Sequence, residues 1–217
     1  MGVFERMLES LSTFIFQRMS EKIKPGAMKN IMDPIFAVSE KFAYEFSFLR
    51  ERYLDMYHEM IDGELGLVSS LKDKRVLVIG SGSLPATAIL FARRSEACVV
   101  GVDIDAKAVM RANKLVGRMG FDKNKLHFVV GDGLDVDLIG FDVVLLLYGI
   151  RQQKKMLKAA AKKLDDGACV IVRTTCHGDA VRIDSEYVDL SEWFVVDGHV
   201  HSNTLGPIDS FCLKKKL

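Results

Sequence analysis

The chain has 217 residues, of which 49% are hydrophobic, and its 30 Lys and Arg side chains nearly balance its 29 Asp and Glu side chains. A formal net charge of +1 excludes a general electrostatic attraction to nucleic acid or to an anionic membrane, and the apolar content excludes a disordered chain. The length favours one or two domains with a full hydrophobic core. Any ligand must therefore be recognised by a local site.

The cysteines and the first residues predict a protein of a reducing compartment. The four cysteines, at positions 98, 169, 176 and 212, form no C-x-x-C pair, and cysteines in apolar runs are typical of free, buried thiols. Charges at positions 5, 6 and 9 interrupt any apolar signal segment. Glycines and a proline divide the longest uncharged stretch, residues 76–92. We expect a cytoplasmic protein with no membrane or nucleic-acid partner.

Residues 1–72 are predicted to form a helical cap. Apolar residues recur there at spacings of three and four, which indicates helices. One stripe runs from Phe4 to Met19, and a second begins at Asp33, a favourable helix N-cap, and continues to Gly63. Seven of the ten Met and seven of the thirteen Phe lie before residue 73. Such a surface would cover a site or pair with a second subunit, and we expect a possible homodimer through it.

From residue 73 onward the pattern changes to short apolar runs that alternate with helical segments. The strand candidates are 76–79, 98–102, 127–130, 143–147, 169–172, 194–196 and 210–213, and the helix candidates are 86–94, 106–119 and 153–164. Runs that are apolar on both faces indicate a parallel sheet covered on both sides. No helix separates the last two runs, which predicts an antiparallel pair at the edge. Residues 73–217 are thus predicted to be an α/β, Rossmann-like, doubly wound domain.

Glycines and carboxylates stand where the first three predicted strands end. Ligands of open α/β sheets bind at this edge, glycines let the backbone approach them, and helix N-termini favour their anionic groups. The second strand ends at Asp103, 21 residues beyond Gly82, where its carboxylate can accept ribose hydroxyls; Asp132, after the third, would lie beside an adenine. The predicted cofactor-binding residues are Gly80, Ser81, Gly82, Leu84, Pro85, Asp103, Ile104, Gly131, Asp132, Gly133 and Leu147.

This sheet region resembles the S-adenosylmethionine-dependent transferases and, within them, the nicotianamine synthases. The stretch GSGSLPATAILFA is similar to the glycine-proline turn of that family, which carries a GSGPLPLT-type sequence. Four further similar blocks follow in the same order: VDIDAKAV, FDVVLLLYGI, DGACVIVRTTCHG and VHSNTLGPIDSFCLKKK. The resemblance implies S-adenosyl-L-methionine as cofactor. It also implies transfer of the 3-amino-3-carboxypropyl arm to an amine, with release of methylthioadenosine.

Three residues are candidates for catalysis. Glu45 lies seven residues after Val38 and would face the sheet if that stripe does. The resemblance implies a glutamate base on the helical cap, and the alternative is a solvated or salt-bridged helix residue, for example one paired with Arg52. Tyr148 follows the fourth strand and could orient the amine or the sulfonium. His177 ends the fifth strand and either contacts substrate or is structural. Arg173 could line the same pocket or pair with an acidic partner in the sheet.

Several alternatives remain open at the level of the sequence. All three carbons on the sulfonium are electrophilic, so the position of the acceptor decides which group is transferred. A small-molecule methyltransferase and a non-catalytic binding module are the competing hypotheses. The acceptor could be a second aminobutyrate unit, glutamate, histidine or another amine. The cysteine and histidines near residues 176–201 permit a zinc site without requiring one, and we expect no metal.

Overall fold

The computed structural model describes residues 44–148, 150–177, 180–184, 186–204 and 207–216. The chain from Ala43 to Leu217 is one compact unit. The first predicted helical stripe and the predicted N-cap Asp33 lie outside the described residues. The predicted domain boundary after residue 72 therefore stays a prediction.

The helical residues before the sheet form two short helices, α1 (Ser47–Asp55) and α2 (His58–Gly66). The sequence predicted one uninterrupted helix ending at Gly63, and for residues 44–66 this prediction is wrong. Phe46 has extended backbone angles, φ −105° and ψ 118°, so the helical phase is lost before α1. The N–H of Tyr57 donates to the carbonyl of Leu54 at 2.9 Å, a tight turn that separates α1 from α2.

The sheet has nine strands, and three further helices lie between the first five. The strands are β1 (Arg75–Ile79), β2 (Cys98–Asp103), β3 (Leu126–Val130), β4 (Val143–Leu146), β5 (Cys169–His177), β6 (Ala180–Ile183), β7 (Glu186–Val188), β8 (Phe194–Ser202) and β9 (Ile208–Lys215). The helices are α3 (Ala86–Ser95), α4 (Ala106–Arg118) and α5 (Gln153–Lys163). Each predicted strand and helix of this region is present, most of them within two residues of the predicted bounds.

The main path of the sheet runs β3-β2-β1-β4-β5, and these five strands are parallel. On the far side of β5 lies β9, antiparallel to both β5 and β8. The predicted mostly parallel sheet with an antiparallel pair at its edge is therefore confirmed. Because β1 to β5 point the same way, their carboxyl ends meet at one edge, which we call the carboxyl edge.

The end of β5 carries a hairpin that the sequence did not predict. After Thr174 the strand leaves β9 and pairs with β6, which in turn pairs with β7. Asp184, in the turn of this hairpin, accepts the N–H groups of Gln153 at 3.1 Å and Lys154 at 2.8 Å. The hairpin thus supplies hydrogen bonds to the first, otherwise unpaired N–H groups of α5.

Alternate residues of the strands fill the two faces of the core. Helix α5 covers one face, where Leu77, Ile79, Leu146 and Val172 pack with its Leu157. Strand neighbours such as Val76, Val78 and Leu145 point to the other face and are equally buried. Helix α2 packs on β8 and α3. None of the described helices has the length and apolar character needed to cross a membrane.

Candidate active site

The turn after β1 is shaped by two glycines with positive φ, +82° at Gly80 and +69° at Gly82. The N–H of Gly80 donates to the carbonyl of Val102 at 2.8 Å, which ties the turn to the end of β2. A Cβ at Gly80 would lie 2.4 Å from the Ile150 side chain, whereas a Cβ at Gly82 would meet no described heavy atom within 4 Å. Gly82 therefore presents backbone to open space, as a ligand-binding turn requires. The side chains of Leu84 and Pro85 are buried, so their contacts with a ligand would be made by the backbone.

Asp103 joins the glycine turn to the loop after β2. Its Oδ2 accepts the N–H of Gly82 at 2.7 Å, and its Oδ1 accepts the N–H of Asp105 at 3.0 Å. Each carboxylate oxygen keeps a further lone pair with which it can accept a ribose hydroxyl. The next residue, Ile104, is 73% exposed, so a large apolar side chain lies open beside the carboxylate.

The residues after β3 lie beside the turns that follow β1 and β2 at the carboxyl edge. The N–H of Gly131 donates to the carbonyl of Asp103 at 3.0 Å, and Asp132 Oδ1 accepts the N–H of Leu134 at 3.0 Å. Gly133 packs so tightly that a Cβ would lie 2.6 Å from the Ile79 side chain. The structure thus brings the predicted residues at the ends of β1, β2 and β3 together.

Gln153, which sequence reasoning missed, connects the ends of β4 and β5. It is buried, and its Nε2 donates to the carbonyls of Leu147 at 3.3 Å and Arg173 at 3.0 Å. Tyr148 comes directly after Leu147 in the chain and is 59% exposed. A glutamine at the start of a helix is usually solvated, so its sequence position carried no signal. The backbone of His177 ends β5 at the same edge; its side chain lies outside the described part of the molecule.

Arg173 takes part in a buried network and does not line an open pocket. Its Nε and Nη2 donate to the two carboxylate oxygens of Glu64 in α2 at 2.7 and 2.8 Å, and its Nη1 donates to Thr87 Oγ1 at 2.8 Å. Ser210 Oγ donates to the same carboxylate at 2.7 Å. Glu64 is fully buried and Arg173 is 3% exposed. Arg173 thus pairs with an acidic residue, but this partner lies on α2 and not in the sheet, where it was expected. The network reaches the first turn of α3, directly after Pro85.

Glu45 lies elsewhere in the molecule. Its exposed carboxylate is 4.0 Å from Nη1 of Arg118, at the last residue of α4. Because α4 begins at the carboxyl edge and runs back across the sheet, Arg118 lies toward the opposite edge. The expectation that Glu45 faces the site is not met, and the alternative of a salt-bridged residue describes it, with Arg118 as partner. That expectation assumed one continuous helix, and the break at Phe46 changes the direction in which Glu45 points relative to the residues of α1.

A second polar cluster, also missed as a unit from sequence, lies beside the end of β5. His199 Nε2 and His201 Nδ1 are 2.8 and 2.9 Å from Asp209 Oδ1, while Asp209 Oδ2 accepts the N–H of Cys176 at 3.0 Å. Burial opposes ionisation of Asp209, but the bonds from His201, His199 and Cys176 outweigh it and lower the pKa of this carboxyl. The described residues include no group of His, Cys, Asp and Glu that could hold a metal ion.

This sheet order, with a glycine turn after β1 and a carboxylate after β2, is the Rossmann-like fold of the S-adenosylmethionine-dependent transferases. The family model for nicotianamine synthase protein matches residues 45–195, and the chain belongs to this family. The family and fold predicted from the sequence are thereby confirmed.

Solved structures share the fold at low sequence identity. MtNAS in complex with MTA and tNA superposes with a TM-score of 0.70 at 22% identity, over 82% of this chain and 69% of that chain. An RNA methyltransferase from Salinibacter ruber in complex with S-adenosyl-L-homocysteine has a TM-score of 0.58 at 20% identity, over 74% of this chain and 93% of that chain.

Curated relatives match over a shorter stretch. L-histidine 2-aminobutanoyltransferase of Pseudomonas aeruginosa is 38% identical over 71 residues, which is 33% of this chain and 27% of that protein. The protein of the same name from Yersinia pestis is 32% identical over 71 residues, with the same coverage. The chain thus matches little more than a quarter of the length of these curated relatives.

Proposed function

We propose that the chain is an enzyme that uses S-adenosyl-L-methionine and transfers its 3-amino-3-carboxypropyl arm to an amine of a small amino-acid-type acceptor. Methylthioadenosine is the leaving group. The observation that carries this proposal is membership of the nicotianamine synthase family over residues 45–195. The relatives whose names describe transfer of a 2-aminobutanoyl group to histidine support transfer of a four-carbon, amino-acid-derived group rather than a methyl group, and they support an amino-acid acceptor.

In this proposal the cofactor lies along the carboxyl edge. Its methionine end meets the backbone of Gly80 to Pro85, its ribose hydroxyls donate to Asp103, and its adenine lies on Ile104 beside Asp132. The exposure of Ile104 supports this arrangement, because an adenine face would cover an apolar side chain that otherwise meets water. The hydrogen bond from Gly82 supports it as well, since it orients the Asp103 carboxylate toward the turn.

The acceptor lies beside the arm, between Tyr148, the end of β5 and the helical residues. Its amine lone pair attacks the arm carbon bonded to sulfur, that S–C bond breaks, and the electron pair returns to sulfur to give the neutral thioether. Positioning supplies most of the rate enhancement, because the sulfonium is already electrophilic. Tyr148 orients the amine or sulfonium, and His177 contacts the acceptor.

The amine gives up its proton to a carboxylate, and we assign this role to Glu64 rather than to Glu45. Glu64 binds Arg173 of β5 and Ser210 of β9, and Arg173 in turn donates to Thr87 in the first turn of α3, next to the turn that would hold the methionine end. Its Oε2 accepts a hydrogen bond from Arg173, and a second lone pair on this oxygen can take up the proton. Since Glu64 is fully buried in this structure, access requires α2 to move when the acceptor binds.

The experiment that tests the reaction is a double-label incubation. The enzyme is given S-adenosylmethionine labelled in its methyl group or in its arm, together with pooled amino acids. We expect methylthioadenosine to accumulate and the arm label to enter the acceptor. Accumulation of S-adenosylhomocysteine, with the methyl label in the acceptor, would overturn the proposal in favour of a methyltransferase.

We propose a cytoplasmic location, which the four free cysteines support, and a helical cap over residues 1–72 through which two copies pair. Size-exclusion chromatography with light scattering measures the pairing. A monomer at all protein concentrations would exclude the homodimer.

A further inference from the structure

Near its end, strand β5 stops pairing with β9 and pairs with β6 instead. At this change, a hydrogen bond to a side chain replaces a backbone hydrogen bond between the strands. Residues Cys169 to Thr174 pair with β9, whereas Thr175 to His177 pair with β6. At the change, the N–H of Cys176 donates to Asp209 Oδ2 at 3.0 Å. Buried backbone N–H groups need a partner, so Asp209 determines where the end of β5 lies relative to β9.

Two imidazoles hold the other oxygen of this carboxylate. His199 Nε2 and His201 Nδ1 both lie within 2.9 Å of Asp209 Oδ1, and the second ring nitrogen of His201 lies 3.0 Å from Asn203 Oδ1. A ring that donates from both nitrogens is an imidazolium. His199 also stacks on Phe211, with ring centroids 4.5 Å apart, so packing restricts its ring as well.

The charges around His201 favour its protonated form. The described titratable groups nearest to it are Asp209 of β9, His199 of β8, Glu59 of α2 and Cys176 of β5. The hydrogen bond to Asp209 and then the bond to Asn203 raise the pKa of His201 above its ordinary value. The protonated ring therefore stabilises the cluster at low pH, and this stabilisation is lost as the pH rises through the raised pKa.

We propose that Asp209, His199 and His201 are positioning residues that fix the end of β5 in the place where it contacts the acceptor. Their interaction with β5 weakens when His201 loses its proton. The part that concerns the acceptor rests on the proposed function, in which the end of β5 lines the acceptor pocket. The cofactor lies on the other side of β4 and is independent of the cluster. Acceptor binding thus depends on the charge of His201, whereas cofactor binding does not.

The kinetic test compares wild type with His201→Gln from about pH 6 to pH 9. Gln keeps a hydrogen-bond donor but does not titrate, and the acceptor's own amine contributes equally to both enzymes. We expect the ratio of their kcat/KM values for the acceptor to be about five at low pH and to approach one at high pH. The Kd for S-adenosylmethionine should be equal in both. A ratio that is constant with pH overturns the proposal.

A second measurement does not depend on any activity. Amide hydrogen exchange of Cys176, corrected for the intrinsic effect of pH, should be slow at low pH and faster at high pH in wild type. His201→Gln should abolish this pH dependence, and Asp209→Asn should speed exchange throughout. His127→Gln is the matched control, because His127 contacts a backbone carbonyl of its own segment on the far side of the sheet.

Together, the two measurements show whether the proposed function or the positioning role of the cluster is wrong. If methylthioadenosine never forms but Cys176 exchange follows the expected pattern, the proposed function fails and the positioning cluster stands. If methylthioadenosine forms while exchange of Cys176 is the same in wild type and Asp209→Asn, the positioning role is overturned and the proposed function stands.

Discussion

The ends of β1, β2 and β3, which we call the cofactor half of the carboxyl edge, are joined mostly by backbone groups. The ends of β4, β5 and β9, the acceptor half, are joined by side chains. In the cofactor half the N–H groups of Gly80 and Gly131 donate to backbone carbonyls, and the N–H of Gly82 donates to the Asp103 carboxylate. In the acceptor half Gln153, Arg173 and other side chains make the connections. A connection between backbone groups survives most side-chain substitutions, so single substitutions should disturb the acceptor half more than the cofactor half, with Asp103 as the exception.

The largest effect on either half of the carboxyl edge is expected for Glu64→Gln in the acceptor half. We expect turnover to fall on the order of a hundredfold, because the variant lacks the proposed proton acceptor, while the Kd for S-adenosylmethionine stays nearly constant. Steady-state assays and calorimetry measure the two quantities. The matched control is Glu45→Gln, which removes an exposed carboxylate paired with Arg118 and should leave turnover unchanged.

A structural role for Glu64 predicts a different result. Leaving Arg173 buried and unpaired destabilises a protein by about 3–5 kcal/mol, so the double variant Glu64→Gln with Arg173→Met removes both charges. If this double variant recovers the melting temperature but not the turnover, the role of Glu64 is chemical. Recovery of both would contradict the assignment of Glu64 as the proton acceptor.

Asp103→Ala tests the cofactor half. It removes a charged acceptor of ribose hydroxyls as well as the bonds from Gly82 and Asp105. Each hydrogen bond to a charged group contributes roughly 1.5–3 kcal/mol, so affinity for S-adenosylmethionine should fall at least tenfold by calorimetry. Asp166→Ala, on the exposed turn before β5, is the control. An unchanged Kd in Asp103→Ala would contradict the proposal that Asp103 binds the ribose.

Asp184→Ala measures how much the hairpin adds to the acceptor half. The variant loses the two bonds to the first turn of α5, and a lost helix cap costs about 1 kcal/mol. Urea denaturation should report this decrease in the free energy of unfolding. Glu186→Ala, on the same hairpin but exposed, should leave it unchanged. Equal stability of wild type and Asp184→Ala would show that the hairpin does not anchor α5.

The smallest effect concerns the thiol of Cys176. Burial, followed by the charge of Asp209, raises the pKa of this thiol to about 11, so little thiolate exists near neutral pH. Asp209→Asn removes the charge but not the burial, and alkylation of Cys176 should quicken roughly threefold at fixed pH. Peptide mass spectrometry reads the rate, with the half-buried Cys98 as internal control. A slower reaction in the variant would contradict the influence of Asp209.

The sequence predicted that the ends of β1, β2 and β3 meet at one edge, and the physical reason is that this depends only on the order of the elements along the chain. Strands buried on both faces give continuous apolar runs, and the residues that follow them point to one edge. The contact between Gly82 and Asp103 spans 21 residues, a separation that the intervening helix and strand determine. Such contacts follow once the strand order is known.

The acceptor half could not be predicted because its contacts depend on the rotation of helices. Glu64 and Arg173 are 109 residues apart, and their meeting depends on which face α2 turns toward β5. The breaks at Phe46 and Tyr57 reset that rotation. Extending one helical stripe therefore indicated Glu45, and Glu64, which follows the predicted helix end at Gly63, was missed. A buried arginine in an apolar strand does predict some acidic partner, but not which one.

The bonds of Gln153 tie the loop after β4 to β5. One amide nitrogen donates to the carbonyls of Leu147 and Arg173, so the two segments keep a fixed offset at the carboxyl edge. Neighbouring strands lie about 4.8 Å apart and are joined by hydrogen bonds, so no opening for a ligand exists between the described strands β4 and β5. Under the proposed function, an acceptor beside Tyr148 therefore lies across the strand ends rather than between them, and Gln153 fixes the level of the two segments on which it rests.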